Sequence, residues 1–218
     1  MNSEQWNVQF KDDREAPSRP PADEALRLWQ KHEVENERIA IRERPVDPAA
    51  NWSGDWWSKP AWALTTSSRD LHGLGPAGLW LVEDGLGWDE AYSELVDHEN
   101  APRVYEITTA DSWAKLCREY PLDVTASRRH DWYRTTGRDG RWVIPNWARV
   151  SPDFDAVHLS VAAYLSLAGI SIDVDGTSAS VIAGWNPDET YWLTDVSSEP
   201  ATRTTWMRDD GATQWRRS

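Results

Sequence analysis

The stretch A-V-H-L-S-V-A-A-Y-L-S-L-A-G, residues 156–169, decides the fold class. Ala156–Ser160 is an apolar run around His158 and reads as a strand. Val161–Ala168 follows at once with small residues suited to a helix, and Gly169 stops it. Upstream, Arg103–Thr108 reads as a second strand, with Val104 and Ile107 flanking Tyr105. Asp111 is placed to cap a helix across Ser112–Tyr120, and Pro121 follows its end. Downstream, Ala179–Ala183 and Thr190–Asp195 read as a strand pair around Gly184–Glu189.

Further out the pattern keeps alternating. Ala61–Thr66 reads as a strand, Ser67–Gly78 as a turn-rich loop and Leu79–Glu83 as a short buried strand, while Trp88–Val96 has helical spacing. Pro21 opens a helix that runs to about Glu35, with Ala25, Leu26 and Trp29 on one face. Ile39 and Ile41 alternate in a short strand at Arg38–Arg42, and residues 44–60 form a long loop carrying three tryptophans. Residues 1–20 read as a flexible polar arm and 197–218 as a polar C-terminal tail, which leaves one domain over 21–196. Strands and helices interleave without a βαβ rhythm. The expected class is α+β: a mixed or mostly antiparallel sheet with packed helices, in a single domain.

Sixteen tryptophans stand in 218 residues, against two phenylalanines and six tyrosines. Trp is large, seldom fully buried, and carries an N–H that wants an acceptor. Several lie in groups: Trp52/Trp56/Trp57/Trp62, Trp132/Trp142/Trp147 and Trp185/Trp192. Two readings fit, core filler in place of Phe and the walls of a ligand site. The net charge of −13 argues against non-specific nucleic-acid or anionic-membrane binding. No apolar run is long enough to span a membrane. One cysteine, Cys117, and a polar N-terminus predict a cytoplasmic protein.

Five histidines are scattered without ligand spacing, so no metal site is expected. There is no G-x-S-x-G elbow and no phosphate-binding glycine loop, although Gly73–Gly78 with His72 could close over a ligand. His158, alternating with apolar neighbours, reads as a hydrogen-bonded core residue. Ser127–Arg141 concentrates Arg128, Arg129, Arg134, Arg138 and Arg141 around Trp132 and Tyr133. Arginine forks bind phosphate or carboxylate bidentately and aromatics stack rings, so Arg129, Arg134, Trp132 and Tyr133 are candidates for holding an anionic ligand. A solvated loop paired with the acidic surface is the alternative. The carboxylate pairs Glu83/Asp84, Asp89/Glu90 and Asp188/Glu189 admit glycosidase-like chemistry.

One order of segments resembles the ADP-ribosyltransferase fold group. The hydroxyl-rich W-A-L-T-T-S-S at Trp62–Ser68 precedes R-V-Y-E-I at Arg103–Ile107 and the acidic turn Asp188–Glu189, which enters Thr190–Leu193. The resemblance implies NAD as substrate, with Arg42 as the basic residue, Thr65, Thr66 and Ser67 as the hydroxyl strand, and Glu189 as the catalytic acid. Pro187 stands where the family usually has a second acidic residue or a glutamine, which weakens target-directed transfer and leaves NAD cleavage or binding. Catalysis would then fall to Glu189, Arg42 and Thr66, and ligand binding to Thr65, Ser67, His72 and the arginine segment. The partner expected is a small-molecule or nucleotide ligand. The rival functions are a protein-interaction module presenting Trp and Arg, and a carbohydrate-acting protein.

Overall fold

The computed structural model describes residues 4–11, 19–82, 87–98, 101–209 and 214–218. The strands are β1 (Gln5–Phe10), β2 (Thr66–Arg69), β3 (Glu90–Asp97), β4 (Val104–Ile107), β5 (Pro121–Asp123), β6 (Arg141–Pro145), β7 (Ala156–Leu159), β8 (Ile172–Asp173), β9 (Ser178–Ser180), β10 (Thr190–Trp192), β11 (Ser197–Met207) and β12 (Arg216–Arg217). The helices are α1 (Ala22–Glu43), α2 (Ala77–Trp80), α3 (Ala110–Glu119), α4 (Thr125–Thr136), α5 (Trp147–Val150) and α6 (Val161–Leu167). One sheet has eight strands in the order β12-β11-β3-β1-β2-β10-β7-β4, the other four in the order β5-β6-β9-β8. All pairings are antiparallel except β4 with β7 and β6 with β9. The fold is α+β with mostly antiparallel sheets, as the sequence pattern predicts.

The strand–helix passage at 156–169 forms where expected, with Ser160 capping α6 by accepting the Ala163 N–H. Helix α3 is capped by Thr109 rather than Asp111, in a reciprocal bond with Ser112. Other expectations are corrected. Residues 5–10 of the supposed arm form β1, an interior strand between β2 and β3. Its alternation explains this: Gln5 and Asn7 are buried and bonded, Ser67 Oγ donating to Gln5 Oε1 and Asn7 Nδ2 to the Thr66 carbonyl. Residues 197–207 of the supposed tail form β11 along β3. The expected strand at Arg38–Arg42 is the last turn of α1. Trp88–Val96 is mostly β3, because pairing on both edges overrides local helical spacing. Thr190–Asp195 does not pair with Ala179–Ala183; β10 lies between β2 and β7, and β9 belongs to the smaller sheet.

Eight tryptophans are core: Trp113, Trp132, Trp142, Trp147, Trp185 and Trp192 are fully buried, and Trp206 and Trp215 are buried in a smaller cluster. Trp185 lies edge-on to both Trp113 and Trp147 in the main core. Among the described residues no helix is long and apolar enough to cross a membrane.

Helix α4 carries the arginine segment. Its N-cap position is Val124, which has no capping side chain. Glu37 of α1 serves instead, accepting the N–H groups of Ala126 and Ser127 at 2.8 Å each. Next to this junction His130 is buried, and neither ring nitrogen has a partner among the described residues. Burial first, then Arg129, holds its pKa below the ordinary histidine value. The unfolded chain therefore takes up a proton that the folded chain resists. His130→Leu should flatten the loss of stability as pH falls below about 6.5. Melting curves at pH 8 and pH 5 check this; equal pH sensitivity in both proteins would refute it.

Candidate tryptophan-walled cleft

The strands β1 and β2, the first turns of α1, the 55–63 loop and the turn before β10 enclose a cleft of about 900 Å³. Its walls include Trp6, Trp29, Trp57, Trp62 and Trp88. Trp6 lies on β1 with Val8 and Phe10 at alternate positions, so all three share one face. The indole N–H of Trp6 has no acceptor among the described residues. Trp57 and Trp62 remain 58% and 75% exposed, a large apolar area for a water-facing loop.

The 44–60 loop carries no regular element beyond turns, yet α4 pins it along its length. Arg129 donates to the Pro45 carbonyl at 2.9 Å and Arg134 to that of Trp52 at 2.6 Å. The Trp132 indole donates to the Trp56 carbonyl at 2.9 Å, and Arg128 reaches that of Trp57. Arg138 bonds the carbonyls of Arg141 and Thr177, and Arg141 pairs with Asp123. The arginine segment is thus neither an open anion site nor a merely solvated loop. Its donors hold the loop that supplies Trp57 to the cleft. Trp132 is fully buried and Tyr133 lies outside the cleft lining.

Glu189 lines the cleft. Its carboxylate accepts the Asn186 N–H at 2.9 Å and the Asn186 side-chain amide at 3.3 Å, with Tyr191 beside it. Burial raises its pKa above the ordinary glutamate value, against the hydrogen bonds from Asn186. Thr66 and Ser67 on β2 also line the cleft, whereas Thr65 lines a separate recess of about 310 Å³ beside Asp195. The expected walls Trp185 and Trp192 are buried elsewhere. Arg42 is exposed near the far end of α1 and pairs with Glu43, away from the cleft. His72 stands in an exposed turn with φ of 52° and is not in the lining.

Of the carboxylate pairs, Glu83/Asp84 lies outside the described residues, and Glu90 pairs with Lys11 at 3.0 Å. Asp188 and Glu189 diverge. Asp188, at φ 63°, accepts the backbone N–H and the Nε of Arg69 at 2.9 and 2.8 Å, and lies 3.3 Å from His158 Nε2. Glu106 sits 2.5 Å from His158 Nδ1. Burial opposes the charge on both His158 and Asp188. Their mutual hydrogen bond, with those to Glu106 and Arg69, outweighs it, raising His158 and lowering Asp188 to about 2. His158 is the buried, hydrogen-bonded residue that the sequence predicts, but its partners Glu106 and Asp188 are not identified by the sequence pattern, although a charged residue inside the strand R-V-Y-E-I already calls for a partner.

No group of residues suited to holding a metal occurs among the described residues. No protein-family model, curated protein or solved structure matches the chain.

Proposed function

We propose that this protein binds a glycosyl-bearing small molecule of nucleotide size in the tryptophan-walled cleft, and that Glu189 acts on its anomeric centre. The observation that carries this reading is a carboxylate set among indole walls in one cleft of about 900 Å³. Indole faces stack sugar or base rings. A carboxylate in a water-poor cleft stabilises the positive charge that develops on a ribose as its glycosidic bond breaks.

NAD is the ligand that the resemblance to the ADP-ribosyltransferase fold group implies. There the bond from the anomeric carbon to nicotinamide breaks, nicotinamide leaves with the electron pair, and water or another nucleophile attacks the carbon. Thr66 and Glu189 share the cleft, as that resemblance requires, but Arg42 does not. The reading is tested by thermal shift against NAD, nucleoside phosphates and oligosaccharides, because a ligand selective for the folded state raises its apparent stability. With NAD turnover in hand, Glu189→Gln should lower it by on the order of 10²-fold with little change in melting temperature. Activity should also fall on acidification, starting above the ordinary glutamate range, because the protonated acid loses its charge. Wild-type protein that neither binds nor cleaves any of these ligands would end the reading.

The exposed indoles of Trp52, Trp57 and Trp62 favour a second reading, a protein partner docking on the 52–62 loop. A failed ligand screen would move the weight to it.

A further inference from the structure

Every arginine of the α4 segment named above is engaged by a carbonyl or carboxylate, so the cation available to a ligand must come from elsewhere. Three acidic groups line the cleft, Glu33, Asp55 and Glu189. Arg128 pairs with Glu33 at 2.7 Å and with Asp55 at 3.4 Å, and Arg44 also reaches Asp55. Arg19 and Lys59 are different: both line the cleft and neither has an ion pair or hydrogen bond among the described residues. Arg19 is exposed on the chain before α1, whereas Lys59 holds its Nζ 5.0 Å from the centre of the Trp57 ring. Lys59 comes near enough to Glu189 to bias that carboxyl toward ionisation without forming a salt bridge. A protein with net charge −13 has carboxylates in excess, yet leaves this ammonium unpaired among the described residues of the cleft.

Resting on the cleft reading above, we infer that Lys59 is the anion subsite of the cleft and that the ligand carries a phosphate beside its glycosyl group. An ammonium is a compact point charge that suits a phosphate oxygen. Its ammonium stands over the Trp57 face, an attraction that positions the charge while leaving its N–H donors free. Lys59 thereby supplies the basic group that Arg42 does not bring to the cleft, near enough to Glu189 to act on its charge.

The test is calorimetric titration of the full chain with ADP-ribose, ribose 5-phosphate and adenosine. These are a nucleotide, a sugar phosphate and an uncharged nucleoside. Lys59→Met keeps an unbranched side chain of similar length and removes the charge; Lys59→Arg restores the charge. The expected result is that a phosphate-bearing probe binds more tightly than adenosine. Lys59→Met should weaken it about tenfold or more, Lys59→Arg should recover most of the loss, and adenosine should be unaffected. Whichever phosphate probe shows this pattern names the source. Equal binding of the phosphate probes by wild type and Lys59→Met would overturn the subsite and leave the cleft reading standing. Binding of adenosine as tight as that of both phosphate probes would do the same. No binding of any probe by the folded wild-type protein would overturn both.

Discussion

Arg128→Ala should destabilise the protein by about 3–5 kcal/mol, the cost of leaving one member of a buried ion pair alone. Arg128 is 2% exposed. Its guanidinium donates to Glu33 Oε2 at 2.7 Å, to the Trp57 carbonyl at 3.1 and 3.2 Å, and to Ser127 Oγ at 3.2 Å. It thus ties α1, α4 and the 55–63 loop at one point. Burial already raises the Glu33 carboxyl above its ordinary pKa, with Arg128 opposing that rise. Without Arg128, Glu33 must take up a proton or stand as an uncompensated charge. The melting temperature should fall by on the order of 10 °C for a chain of this length. Lysine cannot substitute, because one ammonium does not reproduce a fork that meets several acceptors at once. Adding Glu33→Gln to Arg128→Ala should recover part of the loss, since it removes the orphaned charge. A cost below about 1 kcal/mol in the single variant would mean that the pair is solvated.

Asp188→Asn should cost about 3 kcal/mol or more, because Asp188 is a buried partner of both Arg69 and His158. Asparagine keeps the size and tolerates the left-handed backbone at φ 63°, so the variant isolates the charge. Asp188→Ala should cost more, because alanine lacks the short polar side chain that offsets the left-handed backbone and accepts the Arg69 N–H. The effect depends on pH at both ends. Asp188 has its folded pKa lowered to about 2, so its contribution is complete above its ordinary value near 4 and is lost as pH falls toward 2. His158 has its folded pKa raised, so its contribution is complete below its ordinary value near 6.5 and is lost as pH rises through the higher folded value. The network is therefore worth most between about pH 4 and pH 6.5. Urea denaturation at pH 5.5 and pH 9 measures this. A difference between wild type and Asp188→Asn that does not shrink at pH 9 would count against a charged His158.

The α+β class was legible from the alternation around 156–169, because period and punctuation there are local properties. So were α3, β4, β7 and α6, where apolar spacing marks the elements and Pro121 and Gly169 mark where the helices end, though not which residue caps them. The importance of the tryptophans was legible as well, but not which of them are core and which are walls. Trp185 and Trp57 look alike in the chain; one lies in the main core and the other stands over half exposed beside Lys59. The sequence also pointed to Glu189 as an acid entering a strand, since the turn and the strand are adjacent in the chain. It could not show that β1 is an interior strand, because Gln5 and Asn7 read as solvated until Ser67 and Thr66, some sixty residues away, accept or donate their bonds. Nor could it show that Arg129 and Arg134 clamp the 44–60 loop while Lys59 stays open. Periodicity and capping act over a few residues and are written in the chain. Which charges meet depends on contacts made across the whole fold, and only the tertiary structure decides those.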